Sequence, residues 1–338
     1  MIKIVGDINL TDWFFDVGSG IGTRIVKGED PFARLGRKEE DFWIGNLECV
    51  VSNVTDKKGT DAQQFIVSPD ALEHLKPLDF YGLANNHAMQ HGKKAYDEIL
   101  QYLKAKGVKY AGPNETKTIE IQHSGKRIAI TVFSQHKDVF SDAPRYWYMP
   151  EYEELKEEVG KNRGADYRIA YVHWGNEFVE YPYQDQIQFA HYLVDAGYNL
   201  IIGMHPHRLQ GFEVYKGAHI FYSIGNCVFN MAWEPCRYSI IVKLDPYNWK
   251  VSYDYLRLND KGFPEVVDSV PQEYSFEHLN SLIGKIRENE EYYAVVQSRN
   301  SQYQKANRKF FIKNLGSMPF KVKKDMILDF INRRIIKR

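Results

Sequence analysis

The sequence predicts an α/β fold: a layered sandwich of two mixed β-sheets flanked by helices, with a helical C-terminal extension. Three observations predict it. Short apolar runs alternate with segments of helical period as far as Met204. Beyond that point strand-like runs follow one another with only turn signals between them, which suggests a second sheet packed on the first. From about Pro271 the composition becomes helical, polar and charged. The chain divides accordingly into 1–260 and an extension, 261–338.

At 338 residues the chain can bury a full core, and 14% aromatic content argues against broad disorder. Lys plus Arg equals Asp plus Glu at 44 each, which gives no global pull toward nucleic acid. Any electrostatic preference is local. Cys49, Cys227 and Cys236 fit neither a disulfide framework nor a C-x-x-C zinc site, and read as reduced thiols. Met1 leads straight into strand-like sequence without a signal-peptide pattern, and no apolar run approaches the roughly 18 residues of a spanning helix. The expectation is a cytoplasmic protein.

Taken in order, Ile2 to Val5 is a short apolar run ending in Gly6-Asp7-Ile8-Asn9, as expected of a buried strand with polar groups at its C-terminal end. Phe42 to Gly45 repeats the arrangement and ends in Asn46-Leu47-Glu48; Phe80 to Ala84 runs into Asn85-Asn86-His87. Ala95, Ile99, Tyr102 and Leu103 recur at helical spacing, and that helix stops near Gly107. Ile119 to Ile121 and Ile128 to Phe133 flank Ser124-Gly125-Lys126, a hairpin signal. Glu151 to Val159 reads as a surface helix, Tyr167 to Val172 as a strand ending in His173-Trp174-Gly175-Asn176-Glu177, and Gln184 to Ala196 as a helix closed by Gly197. Asn199 to Ile202 is the next strand. Gly211 to Tyr215, Ala218 to Tyr222, Tyr238 to Leu244 and Trp249 to Leu256 are the strands of the second sheet.

The strand at Asn199 leads into Gly203-Met204-His205-Pro206-His207. A proline between two histidines excludes a helix interior and favours extended backbone, where residues two apart face the same way with Cα atoms about 6.5 to 7 Å apart. Such a pair can serve two metal ions; taken alone it reads first as a turn with two exposed histidines. The strand ends also deliver Asp7, Asn9, Glu48, Asn86, His87 and His173. Singly these are a loop cap, an ion pair, a turn residue or a core histidine. Together, carboxylate, amide oxygen and imidazole without thiolate suit divalent Mn, Fe or Zn.

The blocks Gly6-Asp7, Asn46-Leu47-Glu48, Ala84-Asn85-Asn86-His87, His173 to Glu177, Gly203 to Gln210 and Tyr222-Ser223-Ile224-Gly225-Asn226 resemble, in order and character, the capsule synthesis CapA family, which is similar to the calcineurin-like metallophosphoesterases. The resemblance covers about residues 1–245. It implies a metallophosphoesterase-like fold with two divalent metal ions. Asp7, Glu48 and His207, with Asn9, would hold one; Glu48, Asn86, His173 and His205 the other, with Glu48 bridging. His87 matches the histidine that protonates or stabilises the leaving group.

Asn9 stands where the phosphoesterases carry the histidine of D-x-H, and Gln90 where the CapA pattern has an Asp that would orient a histidine. Cys227 replaces an aromatic residue and reads as packing. Arg208, beside the histidine pair, reads as a phosphate clamp or as a surface arginine. Glu177 orients a ligand histidine or contacts substrate. The resemblance implies a metal-dependent phosphoester hydrolase, acting on a phosphodiester or a phosphate-linked glycan or lipid in capsule or exopolysaccharide biosynthesis. The alternative is a non-hydrolytic metal-binding accessory protein for capsule or poly-γ-glutamate assembly. The expected partner is a phosphorylated or polyanionic small molecule or polymer, with no nucleic acid. The basic amphipathic tail, 320–338, docks on the core or touches an anionic membrane surface.

Overall fold

The computed structural model describes residues 1–13, 15–286 and 288–331. Its strands in chain order are β1 (Ile2–Ile8), β2 (Phe42–Leu47), the short β3 (Val50–Val51) and β4 (Ile66–Val67), β5 (Phe80–Gly82), β6 (Lys109–Ala111), β7 (Thr118–His123), β8 (Lys126–Ser134), β9 (Tyr167–His173) and β10 (Leu200–Met204). β11 (Phe212–Tyr215), β12 (Ala218–Phe221), β13 (Asn226–Val228), β14 (Tyr238–Leu244), β15 (Val251–Leu258) and β16 (Pro264–Val267) complete the set. The helices are α1 (Ile21–Val26), α2 (Gly92–Ala105), α3 (Tyr152–Lys161), α4 (Gln184–Ala196), α5 (Phe276–Asn280), α6 (Asn289–Asn314) and α7 (Phe320–Ile331).

Two mixed sheets flanked by helices form the body, as expected. The first runs β16-β15-β14-β1-β2-β5-β6, with the short β13 parallel to β1 at Asp7; the second runs β11-β12-β10-β9-β8-β7. The sheets meet face to face. On β9 Ile169 and Tyr171 belong to the core between them, while Ala170 and Val172 pack in the outer core with Leu155 of α3 and Leu193 of α4. An apolar run without polar alternation is what a strand buried on both faces requires. Tyr171 carries its one polar atom across the interface and donates it to the Val5 carbonyl at 2.5 Å. The anticipated hairpin joins β7 and β8, its turn residues Ser124 and Gly125 both at positive φ, 52° and 73°.

The strands beyond residue 203 do not build the second sheet alone. β11 and β12 extend it, whereas β14, β15 and β16 return to the first sheet, where β14 lies antiparallel to β1. Nearly every residue of β14 is buried, and only an interior position beside β1 covers both its faces. The sheet also continues past residue 260, since β16 pairs with β15, so the extension is helical only from Gln272 onward. α7 packs against the turn Gly59–Gln63 and buries Val322, while Phe320, Ile327 and Leu328 remain exposed. The docked reading thus holds for part of the tail; residues 332–338, with much of its basic charge, lie outside the described residues. No described helix is long and apolar enough to cross a membrane. All three cysteines are buried and unbridged.

Parallel β1 and β2 bring their C-terminal ends to one edge, β9 and β10 of the facing sheet do the same, and the polar groups meet there. The close approach depends on Gly6, where an added Cβ would sit 1.7 Å from the Gly225 carbonyl oxygen. Gly6→Ala is therefore expected to destabilise the fold by about 3 kcal/mol or more. A urea midpoint equal to that of the parent chain would refute this.

Candidate metal centre

Asp7 is the penultimate residue of β1, and the pairing register sets Asn46 of β2 on one side of it and Asn226 of β13 on the other. The register breaks at Asp7 on both sides, a local irregularity of the kind that re-aims side chains near active sites. Glu48 is the first residue past β2, and His173 is the last of β9. Asn86 and His87 occupy the turn after β5. All of them reach one buried cluster together with His205 and His207.

At its centre lies the Glu48 carboxylate, fully buried, with no hydrogen-bond donor on either oxygen. His87 Nε2, His173 Nε2 and His207 Nε2 stand 3.9, 3.7 and 3.8 Å from its Oε1. His173 Nε2 is also 2.8 Å from Asn86 Oδ1 and 3.0 Å from His205 Nδ1. Asp7 accepts from Asn46 Nδ2 at 2.8 Å and from the His205 backbone N–H at 3.1 Å, and its Oδ2 lies 3.5 Å from His207 Nδ1. Among the described residues, three sets of carboxylate and imidazole atoms fall within 4.8 Å of one another: Asp7, Glu48 and His207; Glu48, His173 and His205; Glu177, His205 and His207. Glu48 is common to the first two.

A buried carboxylate without donors is costly unless a cation compensates it. The residues therefore fit a divalent metal. They offer carboxylate and amide oxygens with imidazole nitrogens and no thiolate, the mixture preferred by Mn, Fe or Zn. Electrostatics point the same way. Burial pushes the Asp7 and Glu177 carboxyls up to about 7 and Glu48 well above the ordinary range. Burial also lowers His87 to about 4 and His207 to about 3, and holds His173 and His205 well below their usual value. Neutral imidazoles are the form that binds a metal.

The His-Pro-His segment is not extended. β10 stops at Met204, and His205 and His207 take positive φ, 93° and 55°, with ring centroids 5.9 Å apart. The rings face one place because the chain bends, not because a strand alternates. Four of the eight non-glycine residues at positive φ among those described, Phe65, Phe178, His205 and His207, line this region. Such strain persists only where neighbours over-determine it. Here the Asp7 carboxylate takes the His205 N–H, and the Asn226 side chain lies 2.9 Å from His207 Nδ1 and donates to the His207 carbonyl at 3.3 Å.

Three sequence-derived roles change. Asn9 Oδ1 accepts from Thr11 N at 3.0 Å and Thr11 Oγ1 at 2.6 Å, so that oxygen is committed to closing a turn. Arg208 is buried, gives Nη1 to Glu180 at 2.7 Å and to the Phe178 carbonyl at 3.1 Å, and stacks on Trp233; its charge is spent inside the protein and it is neither a surface arginine nor a free phosphate clamp. Gln90, standing where the family pattern has an Asp, still orients a histidine, because Gln90 Oε1 accepts from His87 Nδ1 at 2.6 Å while Phe65 stacks on the ring at 3.7 Å. Three neighbours were missed: Asn46, Asn226 and His136. Asn46 was signalled by lying two residues from Glu48 on a strand, hence on the same side. Asn226 sat within a quoted block, and Glu177, read from the sequence as orienting a histidine or contacting substrate, lies with His205 and His207. His136, whose ring lies 3.9 Å from that of His205, carried no signal in the sequence.

Fold and cluster together define a two-sheet α/β protein with a buried carboxylate, amide and imidazole centre at its strand ends. The profile of the bacterial capsule synthesis protein PGA_cap family matches residues 2–231, and the chain belongs to that family. It is 29% identical over 308 residues to the capsule biosynthesis protein CapA of Bacillus anthracis, covering 85% of this chain and 71% of the relative. It is 31% identical over 261 residues to the PGA biosynthesis protein CapA of Bacillus subtilis, covering 71% of this chain and 66% of that one. A phosphatase from Mycoplasma pneumoniae superposes with a TM-score of 0.48 at 14% identity, over 76% of this chain and 92% of the other.

A cation must displace the protons that burial keeps on Asp7 and Glu177 up to about pH 7. Both carboxyls are protonated below that value, so Mn affinity is expected to fall as pH drops through it, by up to about tenfold per pH unit for each proton displaced. Equilibrium dialysis at about pH 8 and about pH 6 tests this. Equal affinity at both would contradict it.

Proposed function

We propose that this chain is a metal-dependent phosphoester hydrolase of capsule or exopolymer biosynthesis, acting on a phosphodiester or a phosphate-linked glycan or lipid. The observation that carries the reading is the donorless Glu48 carboxylate amid three imidazoles. Asp7, Glu48 and His207 would hold one divalent ion, and Glu48, Asn86, His173 and His205 the other, with Glu177 as a further ligand to His205 and His207's side. When bound, the ions supply Lewis acidity toward a phosphoryl oxygen and lower the pKa of water.

The chain's own residues do the rest. His87 gives its Nδ1 proton to Gln90, so Nε2 is the atom that exchanges a proton with the reacting groups. With burial holding the ring neutral and an amide where a carboxylate would stabilise imidazolium, Nε2 starts as an acceptor. It protonates a departing alkoxide only after first taking up a proton. Asn46 holds Asp7, and Asn226 fixes His207, so neither ligand turns away. Phe65 and Phe178 wall the cluster and keep bulk water from its imidazoles.

A second reading, a non-hydrolytic metal-binding accessory protein, is favoured by the commitment of Asn9 to Thr11 and of Arg208 to Glu180, which leaves few groups for substrate phosphate. One pair of substitutions separates the two. Glu48→Gln is expected to lose bound metal by elemental analysis. His87→Ala is expected to keep the metal and lose about 10²- to 10⁴-fold in kcat on bis-p-nitrophenyl phosphate with Mn. Parent protein that retains Mn and cleaves no phosphodiester, with polymer output unchanged by His87→Ala, would establish the accessory role instead.

A further inference from the structure

A groove of about 530 Å³ runs between one face of α6 and the segment that leads into β14. Lys305, Lys309 and Lys313 stand along it at four-residue spacing, which on a helix sets them on one face in steps of about 6 Å. Like charges at that spacing repel, so the stripe weakens the helix unless something negative meets it. Among the described residues the groove's lining offers one carboxylate, Asp260. Lys305 and Lys309 form no ion pair among the described residues. Lys313 forms no ion pair among the described residues either, and Asp260, on which its charge acts, is already paired with Arg237 Nη1 at 2.7 Å. Trp233 lines the same groove, its ring 6.2 Å from that of Phe178, which in turn stacks 6.3 Å from His207. The groove therefore lies two ring contacts from the centre. α6 also lies wholly outside the residues matched by the family profile.

We propose that this groove binds an extended polyanion, a chain carrying phosphate or carboxylate groups at intervals that match the lysine stripe, and leads it toward the metal centre. The second half of that statement rests on the hydrolase reading; the binding does not. The test uses the full chain loaded with Mn and measures binding of inorganic polyphosphate, poly-L-glutamate, their monomers orthophosphate and glutamate, and phosphatidylglycerol vesicles. At least one polymer is expected to bind far more tightly than its monomer, with affinity falling as salt rises, and the polymer that binds identifies the phosphate or the carboxylate source. Replacing the three lysines together by glutamine is expected to weaken polymer binding by at least about tenfold, and replacing them by arginine to preserve it, both variants melting like the parent. Three results would overturn the proposal: unchanged polymer binding by the glutamine variant, a monomer that binds as well as its polymer, or vesicles captured through these lysines while neither polymer binds. Glu48→Gln, which removes the metal, is expected to leave polymer affinity in place. A parent protein that binds polymer but hydrolyses nothing sinks the hydrolase reading and leaves the groove standing; one that cleaves a small diester but binds no polymer sinks the groove alone.

Discussion

A carboxylate sealed from solvent, with no donor on either oxygen, is the constraint around which this molecule is built. Such a group is tolerable only if protonated or if a cation sits against it. Its neighbours decide between these. Uncharged imidazoles stabilise an anion poorly, but they are the form that would complete the coordination of a divalent ion. The sheets, the bends and the amide shell can all be understood as means of holding these atoms close while excluding water.

That holding falls to residues that would not themselves touch a metal. Asn46 bonds Asp7 and accepts from Asn85, while Asn85 also caps the turn carrying Asn86 and His87 by accepting the His87 N–H. One chain of amides thus ties the ends of β1 and β2 to the loop after β5. Gln90 does for His87 what a carboxylate does elsewhere, but without adding charge, so it fixes the ring's tautomer and offsets only part of the burial that keeps the ring neutral. Positive φ at both histidines shows that local backbone preference has yielded to this network.

The extension is part of the same construction. Tyr303 of α6 stacks on Phe178 at 3.9 Å, and Arg299 and Arg208 share the carboxylate of Glu180. Two arginines and an aromatic stack therefore clamp α6 onto the loop behind His207. A residue beside the site serves this clamp, which explains why a guanidinium next to the histidine pair does not face a ligand.

Most of the fold was legible in residue order. Uninterrupted apolar runs marked strands buried on both faces, helical spacing and closing glycines marked α2 and α4, and the change of pattern after Met204 marked the run of late strands. The convergence of the candidate residues was legible because each member follows an apolar run, and parallel strands bring such ends to one edge. What no local pattern carries is where a strand goes once made. β14 crosses back beside β1, a choice set by the two faces it must cover. The positive φ of the histidines, the capture of Arg208 by Glu180, the turn closed by Asn9 and the approach of His136 likewise arise from groups far apart in the chain. Periodicity records which face of an element is buried; partners are selected by packing, and packing exists only once the whole chain has closed.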